Sequence, residues 1–494
     1  MNKNINSASA FQSIPAVGID TGAHQFHAGV IGANGPEGVP MEGKTGQRNA
    51  VWYDGKDFLV GDQAVNAHAA NPAMYAEQLK LYLGQRDPDG TPATIIPDIG
   101  EKGKVTHLHT AIYEYVRARV EAYLANPVCG CVLAHPDAAS QFVKDDLKAA
   151  ATAAGIPNVF FIGESQALLR YAHHRKPILP GTLGIIVDNG HYTNNAVVFH
   201  VNDNLTLEVL NVVTSETCGG GEYTAAIEKH LRDELAKTGF VIDDTNAHHL
   251  TTLYAEAERV KHVLSERNEC TAMLPFNKEP FKLVLKREHA EELWASLRKE
   301  CLKTVSRALK EKSIKKDSIS TVIQSGGNLN IPCLHHDICK LLGQDAERLP
   351  NAELAVAFGA ALCAPELYKN EGLAATGGKG RNTRVLNIGA RLKRKTSRNI
   401  AIKLYDMETN SDCMEILVPK GEPLPVRFEK RFGLRSDTLS EDARDVAITI
   451  LQPESEAQEL ENTPVLAEFN AEGLAASSVT QDRICVQVEV SEDE

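Results

Sequence analysis

The chain has 494 residues, 43% of them hydrophobic and 24% charged, with 36 Gly and 22 Pro, so it is too long for one ordinary core and too apolar for a disordered or fibrous protein. A formal net charge of −13 argues against a main role in coating nucleic-acid phosphates. The 10 Cys are scattered without metal-ligand spacing, Cys129 and Cys131 having a single residue between them, and read as reduced, mostly buried thiols of a cytoplasmic protein. The first residues (Asn2, Lys3, Asn4, Asn6) are polar with no apolar run behind them, so no signal peptide is expected, and no stretch is long enough to cross a membrane.

In chain order, VGIDTGAHQFHAGVIG (17–32) reads as an apolar strand ending in Asp, a tight Gly-assisted turn and a second apolar strand. CGCVLAHP (129–136) reads as a buried strand, and SQFVKDDLKAAATAAG (140–155) as an Ala-rich helix closed by Gly155. NVFFIGE (158–164) is a strand leading into the helix SQALLRYAHH (165–174). LGIIVDNGHYTNNAVVFHV (183–201) then repeats the opening pattern, which indicates a duplicated domain and not a short-period repeat. Helical spacing marks TAAIEKHLRDELAKTG (224–239), TTLYAEAERVKHVLSE (251–266) and AEELWASLRKECLKTVSRALKEKS (290–313). TVIQSGG (321–327) is a strand breaking into paired glycines, and ELAVAFGAALCA (353–364) an apolar helix.

Composition then shifts. NEGLAATGGKGRNTR (370–384) is Gly-rich and polar and reads as a linker, followed by short strand-like runs such as NIAIKLYD, DVAITILQ and RICVQVEV. A basic cluster of Arg391, Lys393, Arg394, Lys395 and Arg398 reads as a solvated strand or hinge. The expected architecture is α/β: a two-lobed domain over 1–368, with lobe I about 15–180 and lobe II about 181–368, a linker over 369–383, and an all-β domain over 384–494.

The chemistry lies in the strand-ending aspartates. A carboxylate there can hold hydrated Mg²⁺, while the following glycine admits phosphate oxygens to backbone N–H groups. Two such hairpins, at Asp20 and Asp188, and the paired Gly326-Gly327 form a stronger set than any one of them.

From about residue 15 to residue 365 these motifs resemble, in order, those of the seventy-kilodalton heat-shock (DnaK-like) chaperones of the actin-like ATPase superfamily. The carriers are GIDTG (18–22), the stretch 134–173, VDNGHYT (187–193), CGGGEY (218–223), ERVKHVLS (258–265) and SGGNLNIP (325–332). The resemblance implies a duplicated ribonuclease H-like fold holding ATP or ADP with Mg²⁺ in an interlobe cleft. It implies that Asp20 and Asp188 bind Mg²⁺ through water, that Gly22, Ala23, Gly190 and Thr193 border the phosphates, and that Glu164 orients the attacking water with Asp188 and Thr193 beside it. It also implies a nucleotide-binding set of Gly220, Gly221, Glu258, Lys261, Ser265, Gly326, Gly327, Asn330 and Glu353. Pro136 and Lys144 fall where that family relays nucleotide state between domains.

The departures concern hydrolysis. Ala23, His24 and Gln25 stand where the family has hydroxyls, His191 and Tyr192 replace glycines of the second loop, and Asn195 replaces a carboxylate. Within 59–72, Val65 stands where the family's phosphate-contacting lysine is expected, so hydrolysis is expected to be slow or absent. His24 or His191 is the alternative source of the missing cation. Residues 384–494 resemble the family's substrate-binding β-sandwich, the family linker is not recognisable, and the chain stops at CVQVEVSEDE without a helical lid. The expected function is therefore a chaperone-type nucleotide binder with a polypeptide client. Alternatives are a non-hydrolysing scaffold for one dedicated protein partner, or a filament-forming segregation ATPase, whose end-to-end stacking the β domain would obstruct.

Overall fold

The computed structural model describes residues 13–276, 279–379, 383–386, 392–393, 396, 398–406, 409, 411–424, 426–432, 446–453, 458–460, 463–471 and 484–490. Two compact units divide the chain: Met1–His135 with Asp146–Leu392, and Pro136–Asp145 with Lys393–Glu494.

Two sheets of one design form the centre of the first unit. In the first, β1 (Val17–Thr21) pairs antiparallel with β2 (Gln25–Ile31), which pairs with β3 (Pro36–Gly38) and β4 (Gly46–Arg48). Parallel strands β5 (Gly130–His135) and β6 (Asn158–Gly163) extend it on the other side of β1, giving the order β6-β5-β1-β2-β3. In the second sheet β7 (Leu183–Asn189), β8 (Asn194–Val201) and β9 (Leu207–Ser215) form the antiparallel part. The hairpin of β10 (Glu269–Leu274) and β11 (Phe281–Lys286) lies apart from it. Strands β12 (Thr321–Ser325) and β13 (Glu347–Arg348) lie parallel beyond β7, giving β13-β12-β7-β8-β9. The match is strand for strand, with β1 corresponding to β7, and it makes the expected duplication a feature of the fold.

Helices cover these sheets for the reason their sequences advertise. In α1 (Val105–Leu124) the buried Val105, Leu108, Ile112, Val116 and Val120 follow helical spacing. In the second lobe α4 (Gly220–Ala236) packs on α5 (Ala247–Glu266), whose Leu253, Ala257, Val260 and Leu264 face a core shared with Trp294 and Val305. Helices α2 (Gln141–Ala153), α3 (Glu164–Arg175) and α6 (Ala295–Glu311) lie where sequence spacing placed them, within a few residues, and α7 (Pro332–Leu342), which the sequence reading did not mark, follows the paired glycines.

Three expectations need correction. Helix α8 (Ala355–Asn370), assigned by sequence to lobe II, packs on α3, β1 and β2, and its Ala360, Ala361, Ala364 and Leu367 share a core with Ile14, Val132 and Ile162. A helix apolar on all sides seeks burial on all sides, and this one fills the seam between the sheets. The Gly-rich stretch read as a linker includes a strand, Ala374–Gly377, which pairs parallel with Ser13–Pro15 and antiparallel with Arg384–Val385. Small residues there permit close pairing and do not signal a free tether. The second unit accordingly starts at Lys393, not 384, and includes Pro136–Asp145.

That second unit is antiparallel β. Strands β14 (Ile400–Asp406), β15 (Ser411–Val418), β17 (Val446–Leu451) and β18 (Val465–Ala471) form a sheet in the order β15-β14-β17-β18, and β16 (Val426–Phe432) pairs with β19 (Ile484–Val490). Ile400, Ile402, Leu417, Val418, Ile450 and Val490 form one core, with Phe428 and Val488 packed on it, so the two sheets bury a shared apolar face. Of the basic cluster, Arg398 donates to the Ala138 carbonyl at 2.7 Å, while Arg391, Arg394 and Lys395 lie outside the described residues, as do the terminal residues 491–494. Among the described residues no helix is long and apolar enough to cross a membrane.

Where α8 crosses α3, a β-carbon on Gly359 would run into the Ala167 carbonyl. Gly359→Ala is expected to lower unfolding stability by about 1–3 kcal/mol, measured by urea titration. An unchanged midpoint would show that the two helices do not cross at this glycine.

Candidate functional site

The two aspartates occupy equivalent places, each next to last in the first strand of its hairpin. Asp20 lies opposite His27 on β2; Asp188 lies opposite Asn195 on β8 and beside Ser325 on β12. The second turn is closed by the Gly190 N–H donating to the Thr193 carbonyl at 2.9 Å. The first is braced by Asn49, whose Nδ2 donates to the Gly22 carbonyl at 2.7 Å and leaves Ala23 within the turn. Asn328 Nδ2 donates to Asn189 Oδ1, and Asn189 Nδ2 to Asn194 Oδ1, each at 2.9 Å, so an amide chain holds the second hairpin from behind. Gly326 adopts φ 86°, and a β-carbon there would collide with the Asn189 backbone, which only glycine avoids.

Asp20 and Asp188 meet in one cluster with Glu164, the first residue of α3, and with Lys80, whose ammonium is paired to Glu164. Lys80 sits on a short 3-10 turn, Leu79–Tyr82, after a left-handed Gln78. This overturns the expectation that the centre lacks a lysine. Val65 lies on the helical turn Asp62–Ala67 and is not the relevant position; the cation arrives from further along the chain. Neither His24 nor His191 is needed to replace it.

The electrostatics follow from burial. Asp20 is pushed up to about 7 by desolvation, which with Glu164 and Asp188 outweighs the pull of Lys80. Asp188 is raised to about 6, by desolvation first and then by Glu164. Burial opposes the charge on Lys80, but Glu164 and Asp20 more than reverse this and hold it protonated. Both aspartates keep some solvent access at the cleft even though protein closely surrounds them. Three carboxylates thus share one ammonium, a surplus of negative charge that a divalent cation with a preference for oxygen ligands would complement. By that test these residues fit Mg²⁺.

The remaining candidates divide. Glu258, on α5, lies across the cleft from Arg48, with Oε2 3.5 Å from Arg48 Nη1, and its Oε1 is 3.5 Å from His24 Nε2. Gly327 opens onto free space, as a position under a flat ligand requires, and Asn330 is exposed at the end of the same turn. Lys261 points inward: its Nζ donates to the Gly220 carbonyl at 2.9 Å and Thr224 Oγ1 at 2.8 Å, and burial lowers its pKa to about 8. Ser265 spends its hydroxyl on the Lys261 carbonyl one turn back. The N–H groups of Gly220 and Gly221 donate to the Gly190 and His191 carbonyls, so these glycines brace the second loop. Asn195 Nδ2 reaches Thr193 Oγ1 at 3.4 Å. Glu353 is exposed on the turn before α8, beside Tyr171, and is not one of the groups of the cluster. Pro136 and Lys144 lie in the segment grouped with the second unit. Sequence reasoning missed Lys80, Arg48 and Asn49, none of which belongs to a local motif.

In the ligand-free protein Asp20 and Asp188 retain protons above the ordinary 3.8 that an unfolded aspartate has already released. The native state therefore binds more protons than the unfolded one over this window, and the pair's contribution to stability falls as pH rises from about 4 toward about 7. Asp20→Asn, which does not titrate, is expected to flatten that slope in urea midpoints taken at about pH 5 and about pH 7.5. An identical slope in the variant would contradict the raised value.

Comparison with known proteins matches this arrangement to a family. A family model described as Hsp70 protein covers residues 16–494. A chaperone protein DnaK of Mycoplasmopsis agalactiae is 25% identical over 487 residues, covering 96% of this chain and 74% of the relative. A heat shock 70 kDa protein of Neurospora crassa is 24% identical over 505 residues, covering 97% and 74%. A chaperone protein DnaK of Thermus thermophilus is 25% identical over 506 residues, covering 96% and 77%. With the family model matching nearly the whole chain and the paired aspartate hairpins in place, the chain belongs to the Hsp70 protein family.

Proposed function

We propose that this chain binds ATP or ADP with Mg²⁺ between its two aspartate hairpins, keeps a lysine charge there that serves ATP hydrolysis, and engages polypeptide through its β unit. ATP binding and polypeptide binding are general properties of the Hsp70 family. The observation that carries the reading is the cluster of Asp20, Asp188 and Glu164 around a single lysine.

Asp20 and Asp188 would hold the cation in their deprotonated form, so its binding would be coupled to proton release. Mg²⁺ bound there would neutralise phosphate charge and position the oxygens around the scissile bond. Lys80 contributes a fixed positive charge in a setting shielded from bulk water, where such a charge counts most for phosphoryl transfer. Glu164, oriented by Lys80, is placed to hold a water molecule by its free oxygen. Gly327 leaves room for a flat base, with Glu258 across the cleft to fix its position. One ground for expecting slow turnover, a lysine missing at Val65, is gone with Lys80 in the cluster, whereas Asn195 still stands in place of a carboxylate.

Lys80→Met is expected to lower single-turnover ATP hydrolysis by roughly a hundredfold or more, with a smaller change in ATP affinity by calorimetry. Asp188→Ala is expected to abolish the Mg²⁺-dependent part of binding. Hydrolysis unaffected by Lys80→Met, or binding unaffected by Asp188→Ala, would place the chemistry elsewhere.

A further inference from the structure

The histidines that depart from the family loops stand together at the mouth of the cleft. His24, in the turn after β1, and His191, in the turn after β7, stack with ring centroids 3.9 Å apart and planes inclined by 20°. Glu258 Oε1 lies 3.5 Å from His24 Nε2, and one ligating atom from each of the three residues falls within 4.8 Å of the others. Two imidazoles and a carboxylate are a donor set for a borderline transition metal, not for Mg²⁺.

The protonation pattern favours the same use. Arg48 Nη1 lies 2.9 Å from His24 Nε2, and a guanidinium can only donate. His24 Nε2 is therefore a lone-pair nitrogen, and the ring proton sits on Nδ1. The Tyr254 hydroxyl lies 3.4 Å from His191 Nε2, where its O–H can donate to the same kind of lone pair. Arg48 is already a cation lodged between His24 and Glu258, and Glu77, 3.8 Å from its Nη2, gives it another place to go. Lys261 does not fill the place either, because its ammonium is tied to Gly220 and Thr224.

We propose that His24, His191 and Glu258 form a Zn²⁺-type site that fastens the two lobes together. Tetrahedral zinc, with bonds of about 2.0–2.1 Å, sets neighbouring ligand atoms roughly 3.3 Å apart, so the three groups need only draw together, with water as the fourth ligand. One ligand comes from the first lobe and two from the second, so the bound metal holds the cleft shut at the two loops that carry Asp20 and Asp188. This inference does not depend on nucleotide binding, and its test omits nucleotide.

The full chain, stripped with chelator, is titrated with ZnCl₂ by calorimetry. One Zn²⁺ per chain is expected. His24→Ser and His191→Gly should each weaken it by about tenfold or more. Arg48→Ala should strengthen it by removing the competing cation, an effect that general loss of structure does not produce. Circular-dichroism melts of the variants verify folding. Absence of binding overturns the proposal. So does binding that survives the folded double histidine variant, or weakening in Arg48→Ala.

Discussion

The surplus of negative charge at the centre of the first unit constrains everything around it. Three carboxylates arrive there from β1, β7 and the start of α3, and one ammonium meets them. Left to themselves, carboxylates so enclosed avoid ionisation by keeping protons, and that is what the raised values of Asp20 and Asp188 express. Such a cluster is costly to the folded chain alone and becomes favourable only when a cation supplies the missing charge. The fold thus stores in its apo state a reason to bind one.

Holding the charges in place takes rigid backing. Each aspartate sits on a strand with hydrogen-bonded neighbours on both sides, β1 between β5 and β2, and β7 between β12 and β8. The amide chain of Asn194, Asn189 and Asn328 ties the second hairpin to the Gly326 turn, and the buried α8 joins the two sheets beneath. The mouth of the cleft is built differently. There, His24, His191, Arg48 and Glu258 meet through side chains alone and can rearrange without disturbing a strand.

How much was legible in the sequence follows from what is local. Asp20 and Asp188 were readable because a strand, its terminal carboxylate and its turn glycine are contiguous. Lys80 was not: it lies in a 3-10 turn with no periodic signal, and only packing brings it to Glu164. Looking for the lysine near Val65 applied a local rule to a tertiary fact. The glycines of 370–384 suggested a tether because composition does not reveal a strand partner as remote as Ser13–Pro15. Lys261 was expected in the nucleotide-binding set from its motif, and its inward hydrogen bonds, which depend on how α4 and α5 cross, could not be read there. The β character of the last unit was visible in its alternating runs, whereas its pairing order was not.

The most direct test of the central claim is anomalous diffraction from crystals of the chain grown with ADP and Mn²⁺ in place of Mg²⁺. The account predicts a single strong peak between the Asp20 and Asp188 carboxylates, on the side facing Lys80. A peak elsewhere, with those aspartates bearing no ion, would contradict it.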